Sequence, residues 1–569
     1  MMIAIIVSLM AVQSAGAQEK LTGWNKRAAQ SWWANHTTPE AWRKETERLH
    51  RVLLAAQEEH GVSRVFDNRH FVAWLEHLRW LTLFGEANKR GDGFLSTAQG
   101  AESFAAIGRE APMLVEQFTS TLSTYDDAPR AAEILCSIYA SNPPKAKEFS
   151  RLAVAMSLVF DQAFPERWPH SHTRRPQLAI GNEDPVERFK FYLSCVDAKA
   201  FLLDPRRLSV RELIFMVDTP LELDELRYVQ QVKLRNAARL QDVYQVIPYS
   251  QKRLSDNELV WPGSSYRLID IGREGGICAD QAFYMSQCGK AKGIPTVLFV
   301  GQGRHGGHAW VGFMENTGKW KFDVAKYRSE KYPVGKAFDP QSWRRISDDQ
   351  LQLLLRSQTS REVERSARLI LQWAAMNPKH DSYTSLLSYA QTVAPRLLET
   401  WEMKEDRLRT SSASPKVRGE FWRRWVATFR DQPDLEFRGQ KRLIRVLREL
   451  GDESGEIRIR KQIESENTSK RFDLAIAIAA DAVLEHLERG RLGEAEKGFE
   501  ALVKQYKSKA GGHLFYNLVV PYVDLALEGN LKDQVAKALK ITTENLEVTD
   551  AGTMKADLEE LVRRAEAAG

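Results

Sequence analysis

The chain has 569 residues, 43% hydrophobic and 27% charged, long enough for about three domains that each bury a core. Its 81 basic and 75 acidic residues leave a net charge of +6 with no long block of one sign. That balance excludes the basic stripe of a nucleic-acid binder and fits a solvated, mixed-charge surface. The opening residues, MMIAIIVSLMAVQSAGAQEK, are a short apolar run followed by Ala15, Gly16 and Ala17. This is the pattern of a signal peptide over residues 1–17, cleaved before Gln18, although no Lys or Arg precedes the run. The run is shorter than the roughly 20 residues of a membrane span, and no cysteine follows it to carry a lipid. An exported protein without a membrane anchor is expected, placed in the periplasm or outside the cell.

Residues 18–220 read as a helical N-terminal region. Thr38 before Pro39 predicts an N-cap, a proline at the first helical position and a helix through EAWRKETERLHRVLLAAQ. NPPKAKEFSRLAVAMSLVFDQ and PLELDELRYVQQVKLRNAARL carry the same helical spacing, and FPERWPHSHTRRPQ between them reads as a loop. Cys136 and Cys195 lie in apolar helical segments and are expected to be buried.

The character changes within residues 221–345. GGICADQAFYMSQCGKAKGIP predicts a glycine turn and then a helix opened by Cys278. PTVLFVGQG, HAWVGFME and KWKFDVA are short, rich in β-branched and aromatic residues and separated by GRHGG and NTG, so they predict a small sheet. Cys278 and Cys288 on one helix would sit about 15 Å apart, beyond the roughly 7 Å reach of a disulfide. Residues 346–569 return to helix. Gly451, Gly490 and Gly529 recur every 39 residues, each between two helical stretches, which predicts stacked helical hairpins of the kind that bind protein partners.

The chemistry gathers in the middle region. A thiol at a helix start is deprotonated in part by the helix dipole and free backbone N–H groups. His308 in GGHAWVGF supplies an imidazole to pair with it, and Asp323 in WKFDVA a carboxylate to orient the imidazole. If Asn316 and Thr317 form a two-residue loop, Trp310 lies opposite Asp323, and His308 and Asp323 share a sheet face; a three-residue loop would shift this pairing. Gly275, Gly276, Gly306 and Gly307 suit close approach of backbone to a substrate. The Cys278 N–H is the expected oxyanion donor, with Trp261 or Tyr266 as candidates for a second. Gln302, Arg304 and Trp310 are candidate substrate-binding residues. Asp280 and Gln281 fall in the first helical turn, where an acid suits the dipole. His170 with His172, and His305 with His308, lack the three or four ligands of a zinc site, so neither a metal nor another cofactor is expected.

The run GGICADQAFYMSQCGKAKGIPTVLFVGQ, then HAW, then KWKFDV, resembles the core of the transglutaminase-like superfamily over about residues 260–330. The resemblance implies a papain-like α+β core with Cys278 as nucleophile, His308 as base and Asp323 as orienting acid. The expected fold is therefore mainly α, with a small α+β core between a helical N-terminal region and C-terminal hairpins. The expected function is a thiol enzyme acting on amide or acyl groups of a protein or peptide, as a peptidase or amidase or by transfer to amines. The alternative is a non-catalytic helical-repeat binding protein that has retained such a core.

Overall fold

The computed structural model describes residues 26–567 except 92, 175–176, 179, 182–183, 257, 356–360 and 549–552. Residues 1–17, where a signal peptide is expected, lie outside the described residues. From residue 26 to about 290 helices dominate. The expected N-cap is present: Thr38 accepts a hydrogen bond from the Ala41 N–H and opens the helix Pro39–His60, with Pro39 in its first turn. Two predicted helices are each broken in two. Pro143–Glu148 and Ser150–Val159 are separated at Phe149. Leu223–Val229 is followed by a 3₁₀ helix, Ala237–Val246, because the Asn236 side chain accepts from Arg239 N–H and starts a new element.

The sheet has five antiparallel strands in the order β3-β2-β1-β4-β5. β1 (Thr296–Gln302), β2 (Gly307–Asn316) and β3 (Lys319–Val324) match the three predicted segments. β4 (Lys336–Phe338) and β5 (Arg345–Ser347) are three residues each, too short for alternation to register in the sequence. The helix Cys278–Ala291, hereafter the site helix, packs on β1 and β2. Every residue from Ala279 to Ala291 is buried. Gly289 allows this contact, since a Cβ there would lie 2.3 Å from Thr296 Cγ2. Lys290, 3% exposed, ties the helix end to its surroundings: its Nζ donates to Phe215 O at 2.8 Å and Thr296 O at 3.0 Å and pairs with Asp218. One continuous apolar cluster runs from Trp33 through the site helix to Ala390, so the N-terminal helices share a core with the site helix.

The C-terminal part consists of helical hairpins. Pro433–Glu449 turns into Glu453–Asn467, Phe472–Glu488 into Leu492–Leu514, and Val520–Glu528 into Lys532–Asn545. Each turn closes with the same six-residue back bond: Asp452 N to Leu447 O at 2.9 Å, Arg491 N to His486 O at 2.9 Å and Leu531 N to Ala526 O at 2.8 Å. Gly451 and Gly490 hold the left-handed position (φ 71° and 70°), as their recurrence suggested. In the third turn Gly529 is not left-handed; Asn530 (φ 53°), one residue later, takes that role, and asparagine tolerates it. No helix among the described residues is long and apolar enough to cross a membrane.

Candidate active site

Two glycines aim the site helix. Gly275 has φ 77°, and a Cβ on it would lie 2.4 Å from Pro248 O; one on Gly276 would lie 2.4 Å from Asp280 Cβ. Gly276 N–H donates to Pro248 O and Ser250 N–H to Gly276 O, both at 2.9 Å. These two glycines thus serve the protein's own backbone packing. The Asp280 carboxylate, fully buried, accepts from Ile277 N–H at 2.8 Å and fixes the first turn.

Asp280 is the centre of a buried network. Arg253 Nη1 donates to it at 2.7 Å and Tyr266 Oη at 2.8 Å. Arg253 also donates to Glu258 O and Leu259 O, both at 3.1 Å, and its guanidinium lies 5.2 Å from the Trp261 ring. His170 stands 3.0 Å from Tyr266 Oη, and its Nδ1 accepts from His172 N–H at 3.2 Å, which leaves Nε2 as the donor toward the tyrosine. Burial holds the His170 pKa well below its ordinary value, so the ring is neutral. Both candidate second oxyanion donors are committed elsewhere: Tyr266 to Asp280, and Trp261 Nε1 to Ser265 O at 2.7 Å.

Cys278 sits at the first helical position, partly buried, and all four cysteines are free. Backbone N–H groups of Ala309, Ala279 and Cys278 itself lie near the sulfur and favour the thiolate. Burial opposes them and is the larger effect, and the nearby Asp280 charge adds to it, so the thiol is pushed up to about 11. The resting thiol is protonated, in contrast to the dipole-acidified thiolate that the helix start suggested.

Tyr244 Oη joins the start of the site helix to the residue that follows His308 on β2, lying 3.3 Å from Cys278 O and 2.9 Å from Ala309 O. Replacing Tyr244 by phenylalanine is expected to cost about 1–2 kcal/mol in chemical denaturation, because the one hydroxyl proton that serves the Ala309 carbonyl, and more weakly the Cys278 carbonyl, is lost.

His308 is 6% exposed, with its ring stacked on Tyr327 at 4.6 Å and on Tyr332 at 5.5 Å between centroids. Its Nε2 lies 2.7 Å from Ala325 O. A carbonyl only accepts, so Nε2 carries the proton and Nδ1 is the basic nitrogen. Ala325 is left-handed, at φ 64°, a strained conformation for alanine that aims this carbonyl. Among the described residues no hydrogen bond joins the Cys278 sulfur to the imidazole; such contacts often tighten only when substrate binds.

Asp323 is not brought to His308. Asn316 pairs with Lys319, so Thr317 and Gly318 form the hairpin loop, one residue later than Asn316 and Thr317. Val311 pairs with Val324 and Phe313 with Lys321, so a bulge leaves Phe322 and Asp323 together opposite Gly312. The Asp323 side chain is exposed, and the Ala325 carbonyl holds the place expected of its carboxylate. Trp310 is fully buried, its Nε1 donating to Phe322 O at 3.1 Å. Gln302 and Arg304 lie against the C-terminal hairpins, where Arg304 Nη2 meets Glu547 at 2.5 Å and Gln302 O accepts from His513.

Among the described residues no group of three or more His, Cys, Asp or Glu is placed to hold a metal ion. Comparisons with protein-family models, with curated proteins and with solved structures find no match. The resemblance to the transglutaminase-like superfamily rests on the residues themselves. Sequence reasoning missed Arg253, Tyr244 and Ala325. Asp280, three residues beyond Ile277, carried a capping signal, whereas nothing local marks Arg253 or a carbonyl donated by an alanine.

Proposed function

We propose that the protein is an exported thiol enzyme acting on amide or acyl groups, with Cys278 as nucleophile and His308 as base. The observation that carries this reading is the Tyr244 hydroxyl, which reaches both Cys278 O and Ala309 O and so sets the start of the site helix beside β2 at the residue after His308, whose own Nε2 is tied to Ala325 O. In the reaction His308 Nδ1 takes the thiol proton as sulfur attacks the carbonyl carbon. As the carbonyl carbon is attacked, the Cys278 N–H, at the helix start without an intrahelical acceptor, is the donor to the developing oxyanion. The C–N bond then breaks, the proton passes from His308 to the leaving amine, and a thioester remains on Cys278. Water resolves the thioester in a peptidase or amidase, and an amine does so in a transferase. Export is supported by the apolar run and the small residues at 15–17.

The test is acyl-enzyme trapping with a panel of peptide thioesters, read by intact and peptide mass spectrometry. An adduct on Cys278 that is absent from Cys278→Ala is expected, and its loss in water against added amine distinguishes hydrolysis from transfer. Equal labelling of Cys136, Cys195 and Cys288, or none on Cys278, would contradict the reading. The high thiol pKa favours one other reading, a binding protein whose hairpins do the work while the core is silent.

A further inference from the structure

The loop between β1 and β2 ends immediately before the strand that carries His308, and the C-terminal hairpins grip it. The loop is Gly303 to Gly306, closed by Gly303 N–H to Gly306 O at 2.8 Å and allowed by Gly306 at φ 135°. The helix Leu492–Leu514 breaks at Ala510 (φ −149°, ψ 38°), and the residues after the break turn toward this loop. Gly512 N–H points at Gly303 O (3.2 Å) and Arg304 O (3.3 Å), and His513 Nε2 donates to Gln302 O at 3.0 Å. The approach needs glycine twice: a Cβ on Gly511 would lie 2.5 Å from Arg304 O, and one on Gly512 2.7 Å from Gly303 O. Glu547 also meets the loop, at 2.5 Å from Arg304 and 3.5 Å from His305. Glycine is a poor helix former, and its presence twice here is explained by this backbone-to-backbone contact between distant parts of the chain.

We propose that Gly511, Gly512 and Glu547 are positioning residues for His308: the C-terminal hairpins set the entry of β2 and thereby the placement of the base. This rests on the thiol-enzyme reading for its consequence, and on the clamp geometry alone for its structural part.

The test uses the full chain with Glu547→Gln, which weakens the ion pair without adding bulk, and Gly512→Ala, which forces the backbones apart. Lys504→Ala, an exposed change on the same gripping helix, is the control. Two readouts are taken: amide hydrogen exchange of residues 303–310, and the pH profile of Cys278 alkylation. Exchange is expected to rise about tenfold in both variants, the neutral-pH alkylation of Cys278 to fall by a similar factor, and Lys504→Ala to match wild type in both. Wild-type exchange at residues 307–310 in Glu547→Gln and Gly512→Ala would overturn the proposal. So would raised exchange with an unchanged Cys278 profile. If instead His308→Ala leaves wild-type alkylation of Cys278 untouched, the thiol-enzyme reading fails, and the exchange data still decide whether the clamp holds β2.

Discussion

Replacing His308 by alanine is expected to slow acylation of Cys278 at pH 7 by about 10²- to 10⁴-fold, the contribution of a positioned base. The reason lies in the resting thiol. Pushed up to about 11, it is ionised in roughly one molecule in ten thousand at pH 7. A preformed thiolate would make the base nearly dispensable for the attack; a protonated thiol makes it necessary. His308 is buried between Tyr327 and Tyr332, so truncation also leaves a gap. Pre-steady-state acylation should therefore be read beside a denaturation curve, with His308→Gln as the variant that keeps more of the volume. A rate within threefold of wild type in both folded variants would show that Cys278 reacts without this imidazole.

Asp280→Ala is expected to cost about 3–5 kcal/mol of stability, because it strands the Arg253 guanidinium in the interior without its counter-charge. It also removes the acceptor for the Ile277 N–H and the partner of Tyr266. Asp280→Asn separates charge from contact. Its amide oxygen can still accept, but the negative charge that helps to hold the Cys278 thiol high is gone. The sign follows: the pKa of Cys278 should fall below about 11 in Asp280→Asn, and alkylation at a fixed pH near 9 should rise. Urea titration measures the first effect and the alkylation midpoint the second. An unchanged midpoint would mean that burial alone sets the thiol.

The parts of this site that were legible in the sequence depended on local signals. Gly275, Gly276 and Cys278 announced a turn and a helix start, and three β-rich segments announced the strands that follow. The pairing of His308 with Asp323 failed because it depended on register. A side-chain period of two means that one bulge residue moves a side chain to another place on the sheet, and the bulge at Phe322 and Asp323 has no residue-type signature. The group that holds His308 instead is a main-chain carbonyl, which any residue could supply. Gly511 and Gly512 are adjacent in the sequence, but nothing local names the backbone they approach, which belongs to the distant loop between β1 and β2. The hairpin turns were legible to within one residue, since asparagine can replace glycine at a left-handed position, as Asn530 does.

The most direct test of the thiol-enzyme account is the pH dependence of Cys278 alkylation in the folded protein, followed by peptide mass spectrometry, with Cys136, Cys195 and Cys288 as internal references. Burial raises the pKa of all three references. With His308 as the base, Cys278 is expected to show a neutral-pH limb that is lost in His308→Ala, a second rise toward pH 11, and reaction faster than the other three throughout. A Cys278 that reacts no faster than Cys136 or Cys288, with a profile indifferent to His308, would contradict it and leave the helical hairpins as the working part of the protein.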